Sequence, residues 1–148
     1  MVSDATPPLD EELREHVELY GVGRIGRHIF LCADQTEPKC APKERTLVAW
    51  EFLKRRLNEL GLTSGARVVY RTKANCLRMC AQGPIAVVYP EGVWYHSCDP
   101  EVLERIIQEH LIGGRVVEAY AFAVNPLDGE GTHPQMTQMD EDVAAKER

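Results

Sequence analysis

The stretch that decides the fold is Cys76 to Tyr95, CLRMCAQGPIAVVYPEGVWY. Two cysteines four residues apart lead into Gly83-Pro84. Ile85 to Tyr89 then forms a near-continuous apolar run, as expected of an interior strand. Pro90-Glu91-Gly92 supplies a turn, and Val93 to Tyr95 returns as the antiparallel partner. Upstream, His28 to Leu31 is another short apolar run, delivering Cys32, with Cys40 beyond a polar loop. Each cysteine pair therefore stands at a strand end. Four thiolates brought to one point from two such loops would hold a metal or an iron–sulfur cluster.

Between the pairs, Pro42 suits the first turn of a helix. Leu47, Trp50, Leu53, Leu57 and Leu60 mark one face of that helix over about residues 42–60. Gly61 is its natural cap. Cys40 lies just before the helix N-terminus, whose partial positive charge is expected to favour thiolate. Arg67 to Arg71 reads as the next strand. The crossover through a helix makes a βαβ unit, so the first two strands should be parallel. After the hairpin, Asp99-Pro100-Glu101 predicts a helix start with Asp99 as N-cap. Leu103, Ile106, Ile107, His110 and Leu111 form its buried stripe, and Gly113-Gly114 ends it. Periodicity does not decide whether the apolar segment 116–124 is strand or packed coil. The order β-α-β then β-β-α predicts an α/β chain of thioredoxin-like fold, with a four-stranded mixed sheet and two main helices.

The 148 residues are 44% apolar and 27% charged, as in a globular protein with a real core. The net charge of −6 is uneven. Residues 1–26 hold six acidic and two basic side chains, residues 27–127 eleven and thirteen, and residues 128–148 six and two. The acidity belongs to the ends. The three segments are read as an acidic N-terminal extension with a short helix from Leu9, the main domain, and a disordered acidic tail. Nothing is basic enough to suggest nucleic acid, and no apolar run approaches the roughly 18–20 residues of a membrane span. The N-terminus lacks the apolar core of a signal peptide, so a reducing cytoplasm is expected. There, five cysteines argue for metal ligation or redox chemistry rather than disulfides.

The cysteine spacing is Cys-x7-Cys followed by Cys-x3-Cys. Zinc knuckles and thioredoxin-type catalysis both use Cys-x2-Cys, which neither pair is. The plant-type ferredoxin spacing also differs. A zinc-stabilised interaction module stays open as an alternative, as do four ordinary buried thiols. Cys98 has no partner in the pattern and is read as a structural thiol. No histidine pair has metal-ligand spacing. Lys39, Lys73 and Arg78 flank the cysteines and are read either as cations beside a negatively charged centre or as a solvated basic loop.

Cys32, Cys40, Cys76, Cys80, Gly83-Pro84, Tyr89-Pro90-Glu91-Gly92, Trp94-Tyr95, Glu109-His110-Leu111 and Gly113-Gly114 together resemble the thioredoxin-like, or Shethna-type, 2Fe–2S ferredoxins over residues 27–127. The resemblance implies that Cys32, Cys40, Cys76 and Cys80 ligate a 2Fe–2S cluster. It also implies one-electron carriage between donor and acceptor proteins, no enzymatic activity of the chain itself, and a homodimer. The 2Fe–2S subunits of complex I-like or hydrogenase-type oxidoreductases are similar in the Cys-x3-Cys half. They carry a longer helical domain in front and a shorter first spacing.

Overall fold

The computed structural model describes residues 6–127. The predicted tail, residues 128–148, lies outside the described residues. Element order is α1 (Glu11–Leu19), β1 (Ile25–Cys32), α2 (Lys43–Glu59), β2 (Val68–Ala74), β3 (Ala86–Tyr89), β4 (Val93–Tyr95), α3 (Pro100–Arg105) and β5 (Ala121–Val124). The chain continues α3 as a π-helical stretch over Ile106–Ile112.

One sheet runs in the order β2-β1-β3-β4-β5. β1 and β2 are parallel, as the βαβ reading required, and the other pairings are antiparallel. The sheet has five strands, one more than expected. Ala121–Val124 pairs with β4, which settles the ambiguous apolar segment as an edge strand. A short apolar run carries too little periodicity to declare its pairing.

Both main helices pack on one face of the sheet. Ala49, Leu53 and Leu57 of α2 share a core with Leu103, Ile106 and Ile107, and with Ile29, Leu31, Val88 and Val93 from the strands. Because side chains alternate along a strand, the intervening residues point the other way. That second face carries His28, Phe30, Tyr89, Trp94 and Phe122. The His28 and Phe30 rings stack at 4.1 Å, and Phe30 meets Tyr89 edge-on. Trp94 meets Phe122 edge-on in the same way.

α1 starts where Asp10 accepts a hydrogen bond from the Glu12 N–H (2.9 Å). Its apolar positions stay in solvent, Leu13 at 49% and Val17 at 37% exposed. Only the helix base is tied down, by the Tyr70 hydroxyl donating to the Tyr20 carbonyl (2.8 Å). At α3 the predicted N-cap, Asp99, makes no capping bond. Its carboxylate takes the guanidinium of Arg45 on α2 instead, at 2.7 Å to both oxygens. A bidentate charged pair outcompetes a single cap bond. Among the described residues, no helix is long and apolar enough to cross a membrane.

The β3–β4 turn is fastened to the C-terminal helix by a buried polar chain. The Tyr89–Pro90 bond within it is cis. The Val117 N–H donates to the Tyr95 hydroxyl, which stands 2.8 Å from His110 Nδ1. The Glu91 carboxylate can only accept, so His110 Nε2–H donates to it (3.1 Å), and Nδ1 accepts from the Tyr95 hydroxyl. Arg27 forks onto the same carboxylate at 2.8–3.2 Å. Burial alone would raise the Glu91 pKa. The hydrogen bonds from His110 and Arg27 outweigh it and hold the carboxyl down at about 2.

A carboxyl depressed in the fold contributes stability above its unfolded pKa and loses it as pH falls through the folded one. Glu91 therefore is expected to contribute about 2 kcal/mol at pH 6, of which more than half is lost by pH 3 and the rest only as pH falls through about 2. Denaturant unfolding of wild type and Glu91→Gln at both pH values checks this. The wild type should lose about 1 kcal/mol relative to the variant between the two, and parallel losses would refute it.

Candidate metal centre

β1 ends at Cys32, and its parallel partner β2 ends at Ala74, paired with Cys32 in register. Both cysteine loops therefore leave the same edge of the sheet. They are stitched together there. The Thr36 N–H donates to Asn75 Oδ1 (2.7 Å), and Asn75 Nδ2 donates back to the Thr36 hydroxyl (3.2 Å). Lys73 and Lys43 both pair with Asp34, at 2.9 and 3.4 Å.

Cys32, Cys40, Cys76 and Cys80 all line one cleft of about 260 Å³, with Gln35, Lys39, Asn75 and Met79 among its walls. The pairs differ in setting. Cys32 and Cys40 are buried, and Cys76 and Cys80 are exposed. The Cys32 and Cys40 sulfurs stand 3.6 Å apart. Two thiolates about 2.3 Å from one tetrahedral metal stand about 3.8 Å apart, so this pair is spaced for a single metal atom. On the other side, the Arg78 N–H donates to Cys76 Sγ (3.2 Å) from a left-handed backbone, φ +71°. Among the described residues, no three His, Cys, Asp or Glu side chains gather about a point that one ion could occupy. The four sulfurs thus line one cleft without converging on a single point. That arrangement suits a group with more than one metal atom.

Burial works against the thiolate that the following helix is expected to favour at Cys40. Burial pushes the Cys40 thiol up to about 11, and the neighbouring Cys32 adds to the rise. Desolvation outweighs the hydrogen bonds from Gln35 and the Ile85 backbone. A bound cation would reverse this, because coordination removes the thiol proton outright.

Gly83 is the contact that lets the second loop close on the first. A side-chain carbon there would lie 2.6 Å from Cys40 Sγ and 2.9 Å from the Cys40 carbonyl carbon. The Gly83 N–H donates to the Cys40 carbonyl (2.8 Å), and the Gly83–Pro84 bond is cis. Behind the pair, Ile85 and Ala41 form a small apolar cluster, flanked by Leu77, Trp94 and Phe122.

Cys98 lies away from the cleft, fully buried in the main core. Burial raises its pKa strongly, with help from Asp99. Of the expected cations, Lys39 lines the cleft, whereas Lys73 is spent on Asp34. Gln35, Thr36, Thr46 and Asn75 were missed by the sequence reading. Their roles come from pairing across loops, and no local motif marks them.

No protein-family model matches the chain. A 2Fe-2S ferredoxin of Aquifex aeolicus (strain VF5) is 32% identical over 97 residues, covering 62% of this chain and 85% of that protein. A 2Fe-2S ferredoxin of Clostridium pasteurianum is 33% identical over 96 residues, covering 62% and 90%. Among solved structures, a thioredoxin-like [2Fe-2S] ferredoxin from Aquifex aeolicus superposes with a TM-score of 0.56 at 28% identity, covering 70% of this chain and 96% of that one.

Gly83→Ala should force Cys40 off its position and cost roughly 1–3 kcal/mol, the usual range for overpacking. Chemical denaturation measures the cost. A variant as stable as wild type would show that the close approach is not a constraint.

Proposed function

The chain belongs to the thioredoxin-like 2Fe–2S ferredoxins, and from that premise we propose that it carries single electrons through a 2Fe–2S cluster held by Cys32, Cys40, Cys76 and Cys80. The observation that supports this ligand set is the shared cleft, which all four side chains line from two stitched loops. When bound, the cluster supplies one-electron redox chemistry. The chain's residues divide the remaining work. Cys32 and Cys40 bind from the buried wall, where the Ile85 cluster excludes water. Cys76 and Cys80 bind at the exposed rim, which is where a partner can come close.

The role is carriage rather than catalysis, between donor and acceptor proteins that dock weakly at this rim. With Lys73 and Lys43 engaged by Asp34, the docking charge falls to Lys39 and Arg78. The working compartment is the cytoplasm, whose reducing conditions keep the five free cysteines available. The chain acts there without nucleic acid or membrane.

Freshly purified protein is expected to contain about two irons and two labile sulfides per chain. Cys76→Ser or Cys80→Ser should lose the cluster, while Cys98→Ser keeps it with an unchanged visible spectrum. One zinc and no sulfide in anaerobic analysis would overturn the function, and cluster loss in Cys98→Ser would overturn the ligand set.

The aromatic sheet face supports a homodimer, since its half-buried rings stand in two clusters, His28–Phe30–Tyr89 and Trp94–Phe122, and aromatic residues are enriched at protein interfaces. The full chain should sediment as a dimer, and Tyr89→Glu should shift it toward monomer with the cluster retained. A monomeric wild type would refute the dimer.

A further inference from the structure

Gln35 has a position that ligation by four cysteines does not account for. It is 2% exposed, although it sits in the polar loop between Cys32 and Cys40. Its amide nitrogen donates to both sulfurs of the buried pair, at 3.3 Å to Cys32 Sγ and 3.2 Å to Cys40 Sγ. The amide is held from behind. Thr46, fully buried on α2, stands 3.0 Å from Gln35 Oε1 and 2.8 Å from the Lys43 carbonyl, so its one hydroxyl proton lies between two acceptors. The Thr46 oxygen in turn accepts from the Asp34 N–H (3.2 Å). The opposite amide orientation would set a carbonyl oxygen against two sulfurs, acceptor against acceptor. The nitrogen therefore faces the cysteines.

A buried amide needs good acceptors for its donors, and a neutral thiol sulfur is a weak one. A metal-bound thiolate carries negative charge and is a much stronger acceptor. The two N–H groups are thus matched to the ligated state of Cys32 and Cys40. Adding an electron places more negative charge on the sulfurs, so hydrogen bonds to them stabilise the reduced form.

We propose that Gln35 is a positioning residue that sets the reduction potential, by donating one hydrogen bond to each of Cys32 and Cys40 while Thr46 orients its amide. The inference rests on the carrier reading above. Gln35 is almost wholly buried, so it acts on the equilibrium rather than on docking.

The test is a redox titration of the full-length, cluster-loaded chain, wild type against Gln35→Leu and Thr46→Val, with iron and sulfide measured on each sample. Gln35→Leu should keep its iron and sulfide but disfavour the reduced form about tenfold at any fixed poise, a fall of about 59 mV for one electron. It should also lose part of the shift that heavy water induces in the Raman bands of the iron–thiolate stretches. Thr46→Val should lower the potential in the same direction by less, since the donors remain but their orientation loosens. A loaded Gln35→Leu variant that titrates with wild type overturns the proposal. Should that variant fail to load, Thr46→Val decides. A lowered potential upholds the proposal, and an unchanged one overturns it. A wild-type chain without iron removes the carrier reading itself, an outcome seen before any potential is compared.

Discussion

Parallel strands end on the same edge of a sheet, and this geometry carries the whole site. β1 and β2 run parallel because α2 returns the chain across one face. Cys32 and Ala74 are consequently neighbours, although more than forty residues separate them. The loop after β2 then carries Cys76 and Cys80 back over the loop after β1. Had the first two strands been joined by a hairpin, the two cysteine pairs would lie at opposite ends of the sheet. β3 completes the arrangement by entering from that same edge, with the Cys32 N–H donating to the Ile85 carbonyl at 2.9 Å.

Proximity alone leaves the loops free to move, and three kinds of contact remove that freedom. The Thr36–Asn75 pair ties loop to loop through reciprocal hydrogen bonds. Asp34 bridges to Lys73 across the same gap. Gly83 allows a backbone approach to Cys40 that any side chain would block. The last is the strictest, because its nearest neighbours include backbone atoms as well as the sulfur. Polar contacts at the rim can rearrange in water, whereas a backbone packed on a buried thiol cannot.

Charge is handled differently in the two halves of the molecule. Far from the cleft, Glu91 is ionised, and its partners His110 and Arg27 are fixed by the fold, so the native structure gains by holding that charge. At the cleft, burial opposes thiolate at Cys40, and the fold offsets it only with the hydrogen bonds of the Gln35 amide and the Ile85 backbone. Coordination there must displace a proton held more tightly than in free cysteine, a cost that the positive charge of a bound metal centre would offset. Lys43 and Lys73 do not lend their charge to the sulfurs, because Asp34 holds both.

Local patterning carried much of this protein openly. The strand end at Cys32, the α2 stripe through Trp50, Leu53 and Leu57, and the buried face at Leu103, Ile106 and Ile107 all follow from periodicity and punctuation, whereas β2 runs on to Ala74, past the Arg71 that its apolar run marks. These features depend on residues a few positions apart, which is the range over which sequence pattern speaks. The cysteine spacing likewise marked the four donors and set Cys98 aside. What the tertiary structure decided depends on residues far apart in the chain. The fifth strand exists because Ala121–Val124 finds β4. Asp99 abandons its cap for Arg45, fifty-four residues away. The state of Cys40 is set by burial rather than by the helix that follows it. Gln35, an ordinary polar loop residue by sequence, becomes the buried donor to two sulfurs only when Thr46 of α2 closes over it. Hydrogen bonds and desolvation act through space, so their outcome is set once the chain has brought distant residues together.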